Sequence, residues 1–339
     1  MSGNRLIIHQ KTGFIMKNRL VCLVALCCMG GSLFAQQLRF GSDGKFKIVQ
    51  FTDVHWVAGN PASEEASVRM NEVLEAEKPD FVIYTGDLIY GRPATEGLDK
   101  ALEPVVSRNI PFAVTWGNHD DEQGMTREQL SDYIQEKPNN LTGTVEGLPG
   151  VTNYILPVRS SDGTKDAAVM YVFDSHSYSG RKDVKGYDWI KPEQVEWFRR
   201  ESAGYTDRNG GKPLPALAFF HIPLPEYNQA AQDEKALLIG TRKEKACAPA
   251  LNTGLFAAML EAGDVMATFV GHDHVNDYVV NWYGMLLCYG RFTGGKTVYH
   301  DIPGGNGARI IELTEGERGF RTWIRLKDGK VINEVSFPE

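Results

Sequence analysis

Five apolar runs in this sequence each end in a side chain able to bind a metal ion. Lys45–Phe51 leads to Asp53-Val54-His55, and Phe81–Thr85 leads to Gly86-Asp87. Phe112–Trp116 leads to Gly117-Asn118-His119-Asp120. Ala216–Phe220 leads to His221, and Ala267–Val270 leads to Gly271-His272-Asp273-His274. Carboxylate, imidazole and amide oxygen suit Mn, Fe or Zn, and no soft thiolate joins the set. One carboxylate shared by two ions would hold them ~3.5–4 Å apart, the spacing that clamps an in-line displacement at phosphorus. Any one of these motifs alone fits a turn or a helix cap equally well. Five of them, each after a strand-like run, point to one site.

The elements around them read as alternating strands and helices. Helical spacing or composition marks Ser63–Glu77, Glu96–Arg108, Thr126–Glu136, Pro192–Gly204 and Thr253–Ala262. Strands are expected over the five apolar runs and over Ala168–Phe173. After Asp273 the pattern turns to short strands: Tyr278–Asn281, Met285–Tyr289, Ala308–Leu313, Thr322–Leu326 and Val331–Phe337. This is an α/β pattern with a large mixed sheet system. In open α/β sheets, ligands collect at the carboxyl ends of the strands, so one sheet edge would gather all five motifs. Glycine before Asp87, Asn118 and His272 lets the backbone come close to an ion or substrate.

The ordered set Asp53-x-His55, Gly86-Asp87, Gly117-Asn118-His119-Asp120, His221 and Gly271-His272-x-His274 resembles the calcineurin-like metallophosphoesterases. Phe219–Pro225 and Gly271–Asp277 resemble a narrower branch related to the purple acid phosphatases. The resemblance implies a four-layer α-β-β-α sandwich of two mixed sheets flanked by helices. It implies two metal ions, one held by Asp53, His55 and His274, the other by Asn118, His221 and His272, with Asp87 bridging. A hydroxide between the ions would attack phosphorus, and His119 would contact the phosphate or protonate the leaving oxygen. Asp120 would either orient His119 or cap the following turn. Purple acid phosphatases proper carry glycine in place of His55 and a tyrosine ligand at the position of Tyr90; here His55 is expected to bind and Tyr90 to pack nearby. The substrate implied is a small phosphomonoester. A phosphodiesterase or nucleotide hydrolase of the same fold and a non-catalytic metal-binding module are the alternatives.

A formal net charge of -7 gives no general attraction for nucleic acid or anionic lipid. Lys17 and Arg19 precede a mostly apolar run, Leu20–Leu33, and Leu33-Phe34-Ala35 resembles a small-residue cleavage site before Gln36. A signal peptide over residues 1–35 is therefore expected, with Met16 a plausible start, and with it a secreted or periplasmic protein that has no membrane span once mature. Residues 45–300 form the expected catalytic domain, and 301–339 are expected to add strands to it. Cys247 and Cys288 remain after cleavage and are expected to be separate buried thiols. Gly290-x-x-x-x-Gly295-Lys296-Thr297 matches a phosphate-binding loop, but no helical pattern follows it, and that mechanism requires one. Arg291 and Lys296 are read as solvated surface cations, with a substrate contact as the alternative, and His176 and His300 as surface or loop histidines.

Overall fold

The computed structural model describes residues 37–338. In chain order the elements are β1 (Lys45–Phe51), α1 (Glu64–Glu77), β2 (Phe81–Thr85), α2 (Ala94–Val106), β3 (Phe112–Thr115), α3 (Arg127–Gln135), β4 (Tyr154–Arg159), β5 (Asp166–Val172) and α4 (Pro192–Arg208). There follow β6 (Ala216–Phe219), α5 (Glu226–Gln232), β7 (Leu238–Ile239), α6 (Leu255–Ala262), β8 (Val265–Val270), β9 (Val279–Trp282), β10 (Met285–Tyr289), β11 (Gly307–Thr314), β12 (Phe320–Leu326) and β13 (Val331–Phe337).

The strands form two mixed sheets. One has the order β13-β12-β11-β1-β2-β3, the other β4-β5-β6-β8-β10-β9-β7. Strands β1, β2 and β3 run parallel, and so do β5, β6, β8 and β10. Their side chains alternate between two apolar environments, as strands buried on both faces must. In β1, Phe46 and Ile48 point into a core shared with Met170 and Phe219 of the other sheet. Val49 and Phe51 point the other way, against Met70 of α1, Leu98 of α2 and Leu130 of α3. The second sheet buries Tyr171, Ala218 and Val270 against Phe198 of α4, Tyr227 of α5 and Met259 of α6. The result is four layers, helices outside two sheets. Each fully buried Phe or Met in these cores contributes roughly 1.5–3 kcal/mol over its exposed state.

Parallel pairing settles where the loops emerge. Phe51 lies beside Tyr84, Thr85 beside Thr115, and Phe219 beside Phe269. The carboxyl ends of β1, β2, β3, β6 and β8 therefore reach one edge. Gln50 links the two sheets there, its amide donating to Thr85 Oγ1 (2.8 Å) and to the Val270 carbonyl (3.1 Å). Helix α3 buttresses the same edge. Thr126 and Gln129 form a capping box at its start, and Ser131 accepts from the Trp116 indole at 2.8 Å.

Candidate metal centre

Every residue of the expected ligand set lies in the first loop residues after one of these strands. Asp53 and His55 follow β1, Asp87 follows β2, Asn118 follows β3, His221 follows β6, and His272 and His274 follow β8. All seven are buried. Four of them hold left-handed backbone, with φ of 52° at Asp53, 48° at His55, 53° at Asp87 and 78° at His272. Non-glycine residues pay of order 1–3 kcal/mol for such backbone, and it persists where the surroundings dictate it, most often at functional sites. A Cβ on Gly86, itself at φ 88°, would lie 2.6 Å from His221 Cγ, and one on Gly117 would lie 2.7 Å from Asp87 Cγ. Only glycine allows these loops to approach so closely.

The side chains converge in two groups that share one residue. Asp53, His55, Asp87 and His274 form the first, and Asp87, His221 and His272 the second, with ligand atoms in each group within 4.8 Å of one another. Asp87 Oδ2 lies 3.4 Å from His55 Nε2 and 3.2 Å from His221 Nε2. His274 Nε2 lies 3.3 Å from Asp53 Oδ1. Four buried atoms at this focus have no hydrogen-bond partner: Nε2 of His55, His221 and His272, and Oδ1 of Asn118. Native proteins rarely leave buried polar atoms unpaired, and each costs about 1–3 kcal/mol. The other ends of these groups are held. His221 Nδ1 is 2.7 Å from the Thr85 carbonyl, so it carries the proton and leaves Nε2 as an acceptor. His274 Nδ1 faces the Tyr299 carbonyl at 3.3 Å. The Asn118 amide donates to the Tyr178 hydroxyl at 3.2 Å, which directs its oxygen inward. Two carboxylates, four imidazoles and an amide oxygen, with their free lone pairs aimed at a common focus, fit a pair of borderline cations.

Electrostatics supports the same reading. Burial pushes His272 down to about 3, and His221 adds repulsion. Burial also opposes charge on His221, but Asp87 outweighs it and lifts the imidazole to about 9, so without an ion Nε2 holds a proton toward Asp87 that a metal would displace. Asp87 is drawn well below the usual carboxylate range against the effect of burial, first by His221 and then by His55. This focus of carboxylate charge calls for a cation.

His119 stands at the rim, partly exposed, with Nδ1 2.7 Å from Glu122 Oε2. Its ring partner is thus Glu122, and Asp120 shows neither of its two expected roles, orienting this ring or capping the following turn. The Asp120 carboxylate is wholly buried and ties two loops together. Oδ1 accepts from the amides of Leu88 (2.8 Å) and Ile89 (3.1 Å), and Oδ2 from those of Asp87 (2.9 Å) and Gly117 (2.8 Å). Burial, then Asp87, push this carboxyl up to about 7. Four amide donors and no acceptor around it favour the ionised form. Tyr90 packs its ring 4.9 Å from the rings of both His55 and His119.

Several residues escaped the sequence reading. Arg127 braces the Asn118 loop through the carbonyls of Trp116 (3.3 Å), Gly117 (2.7 Å) and His176 (2.8 Å), and pairs with Asp174 at 2.9 Å. Tyr178, Tyr187 and Tyr299 adjoin Asn118, His272 and His274. Only Glu122, three residues from His119, had a signal in its spacing. Arg291 is neither a surface cation nor a substrate contact. It is fully buried, donating to Asp277 Oδ2 at 2.6 Å and to the carbonyls of Gly305 and Pro303. No helix follows Lys296, and His176 and His300 lie in loops. Cys247 is exposed, not buried as expected, while Cys288 is buried, and both are free thiols. The Leu20–Leu33 run and the cleavage site lie outside the described residues.

Residues 46–276 match the family described as calcineurin-like phosphoesterase. Among curated proteins, the probable inactive purple acid phosphatase 29 of Arabidopsis thaliana is 33% identical, over 93% of this chain and 91% of its own. Phosphatase DCR2 of Saccharomyces cerevisiae is 36% identical, over 86% of this chain and 55% of its own. A dimetal phosphatase from Danio rerio shares the fold, with a TM-score of 0.60 at 13% identity over 86% of this chain and 98% of that one. With the ordered motifs and their convergence at one edge, these matches make the chain a member of the calcineurin-like phosphoesterase family.

Proposed function

We propose that this chain is a dinuclear metal-dependent hydrolase of small phosphate esters, phosphomonoesters first among them. One observation carries the reading: four buried, unpaired ligand atoms and the shared Asp87 carboxylate meet at a single focus. Asp53, His55 and His274 would hold one ion, Asn118, His221 and His272 the other, and Asp87 both. The bound pair would supply an acidified water and offset the charge that builds on the phosphate oxygens. The protein's own part is to fix the seven donors on rigid strand ends, so that little reorganisation is needed during reaction. Burial of the donors keeps bulk water from their lone pairs. His119, held by Glu122 at the rim, would contact the phosphate or pass a proton to the leaving oxygen. Export is part of the proposal, supported by the charged and apolar pattern of residues 17–35.

The name of the Arabidopsis relative makes a non-catalytic module the competing reading. Against it stands the unbroken donor set together with a histidine at the rim. The test is hydrolysis of aryl phosphate monoester and diester probes by protein reloaded with Mn, Fe or Zn. Metal-dependent turnover is expected, faster on the monoester and abolished in Asp87→Asn. Fully metallated, folded protein that cleaves neither probe would sink the enzyme reading.

A further inference from the structure

Nine large hydrophobic or aromatic side chains are exposed among the described residues, and three of them, Tyr90, Tyr178 and Tyr299, touch residues of the metal centre. Tyr90 packs 4.9 Å from both His55 and His119 yet is 45% exposed. Tyr299 lies 4.2 Å from His274 and is 59% exposed. Tyr178 accepts from Asn118, is 48% exposed, and stacks at 5.5 Å and 23° on Tyr187, which meets His272 edge-on at 4.4 Å. The histidines in between are contiguous: His55 is 4.8 Å from His274 and 5.4 Å from His119. These tyrosines come from three loops far apart in sequence, Tyr178 and Tyr187 sharing one, and each adjoins a residue of the metal centre; Tyr90, Tyr178 and Tyr299 are exposed and Tyr187 is half-buried. Tyr178 and Tyr187 face each other across an isolated antiparallel bridge, and Tyr90 and Tyr299 lie in loops.

We infer that these tyrosines form a collar that selects phosphate esters whose leaving group is an aromatic ring bonded directly to the ester oxygen. The inference rests on the hydrolase reading and narrows its substrate class to aryl phosphates, the phosphotyrosyl group included. Position supplies the argument. Tyr90 contacts His119, the residue placed at the leaving oxygen, so a ring one bond from that oxygen meets Tyr90 while the phosphate stays at the metal focus. A ring carried several bonds further out, as in a nucleoside phosphate, passes beyond the collar. Aromatic rings favour offset or edge-on partners, and such pairs add to the value of the area they bury. One such contact corresponds to about three- to tenfold in affinity.

The test uses metal-loaded protein and two ligands without a cleavable ester, benzylphosphonate and cyclohexylmethylphosphonate, titrated by calorimetry. The two are close in size and differ in planarity. Benzylphosphonate is expected to bind about three- to tenfold more tightly. That preference should fall toward unity in Tyr90→Leu and Tyr299→Leu and persist in Tyr90→Phe, with metal content unchanged in all three. Equal binding of the two ligands by the unsubstituted protein overturns the collar, as does a preference that survives both leucine variants. The readout is independent of turnover. A benzyl preference in a protein that hydrolyses nothing supports the collar and rejects the enzyme, whereas turnover without the preference does the reverse.

Discussion

Replacing Asp120 with asparagine removes one oxygen from a carboxylate that serves four backbone amides. Oδ1 takes those of Leu88 and Ile89, and Oδ2 those of Asp87 and Gly117. Whichever way the asparagine is turned, its carbonyl keeps one pair and its NH2 faces two N–H donors of the other. Two charge-assisted hydrogen bonds are lost and two buried donors are stranded. At about 1–3 kcal/mol for each unsatisfied donor, with some relief from local rearrangement, the cost is about 2–4 kcal/mol. That is a large part of the 5–15 kcal/mol typical of a folded domain. The stranded pair is either the amides of Asp87 and Gly117 or those of Leu88 and Ile89, and both pairs adjoin metal-site residues, so metal affinity should fall as well, by about tenfold or more. Urea unfolding of the metal-free protein reads the first effect, and competition with a chelator reads the second. A variant within about 0.5 kcal/mol of the parent, with unchanged metal affinity, would refute the view that Asp120 is the clip between the two loops.

Two further predictions concern buried charge and thiol reactivity. Arg291→Met leaves Asp277 as a buried carboxylate without its guanidinium partner and should cost about 3–5 kcal/mol in urea unfolding; a loss under about 1 kcal/mol would contradict the pairing. Cys247 is exposed, but partial burial of its thiol and the neighbouring Asp273 carboxylate push it up to about 12, so the thiolate is scarce below that pH. At about pH 8 its thiolate fraction is about a thousandfold below a free thiol's, so alkylation by iodoacetamide should be roughly a hundredfold slower once the greater nucleophilicity of a more basic thiolate is counted, and should accelerate with pH. Mass spectrometry of timed samples reads it, and free-thiol rates would contradict the environment described.

The site was more legible in the sequence than its surroundings. A loop residue directly after a buried parallel strand has its position dictated by that strand, so Asp53, Asp87, Asn118, His221 and His272 could be placed from hydrophobic runs alone. Strand β4 shows no strand pattern because Pro157 breaks it, and the sheet tolerates that proline because β4 is an edge strand whose one neighbouring strand is β5, its outer side meeting only a bridge from Arg39 to Arg159. Helix α5 is too short, at seven residues, to show a helical period. Arg291 was misjudged because its partners, Asp277 and the carbonyls at 303 and 305, converge on it only through tertiary folding. Tyr90 is placed beside His55 by the resemblance, but the tyrosines at 178, 187 and 299 follow no period, and only their contacts with Asn118, His272 and His274 bring them to the site. For Asp120, its place after His119 fitted orienting that ring or capping the following turn; the hydrogen bonds show neither, because its partners at 87–89 reach it only through tertiary folding.

Metal stoichiometry tests the central claim most directly. Protein stripped of metal is titrated with Mn(II), bound metal is measured by plasma mass spectrometry, and the loaded sample is examined by electron paramagnetic resonance. The shared Asp87 predicts two ions per chain and a spin-coupled signal from a close pair, with Asp87→Asn losing the coupling and at least one ion. A single tightly bound ion, or two that show no coupling, would contradict a centre built around one bridging carboxylate.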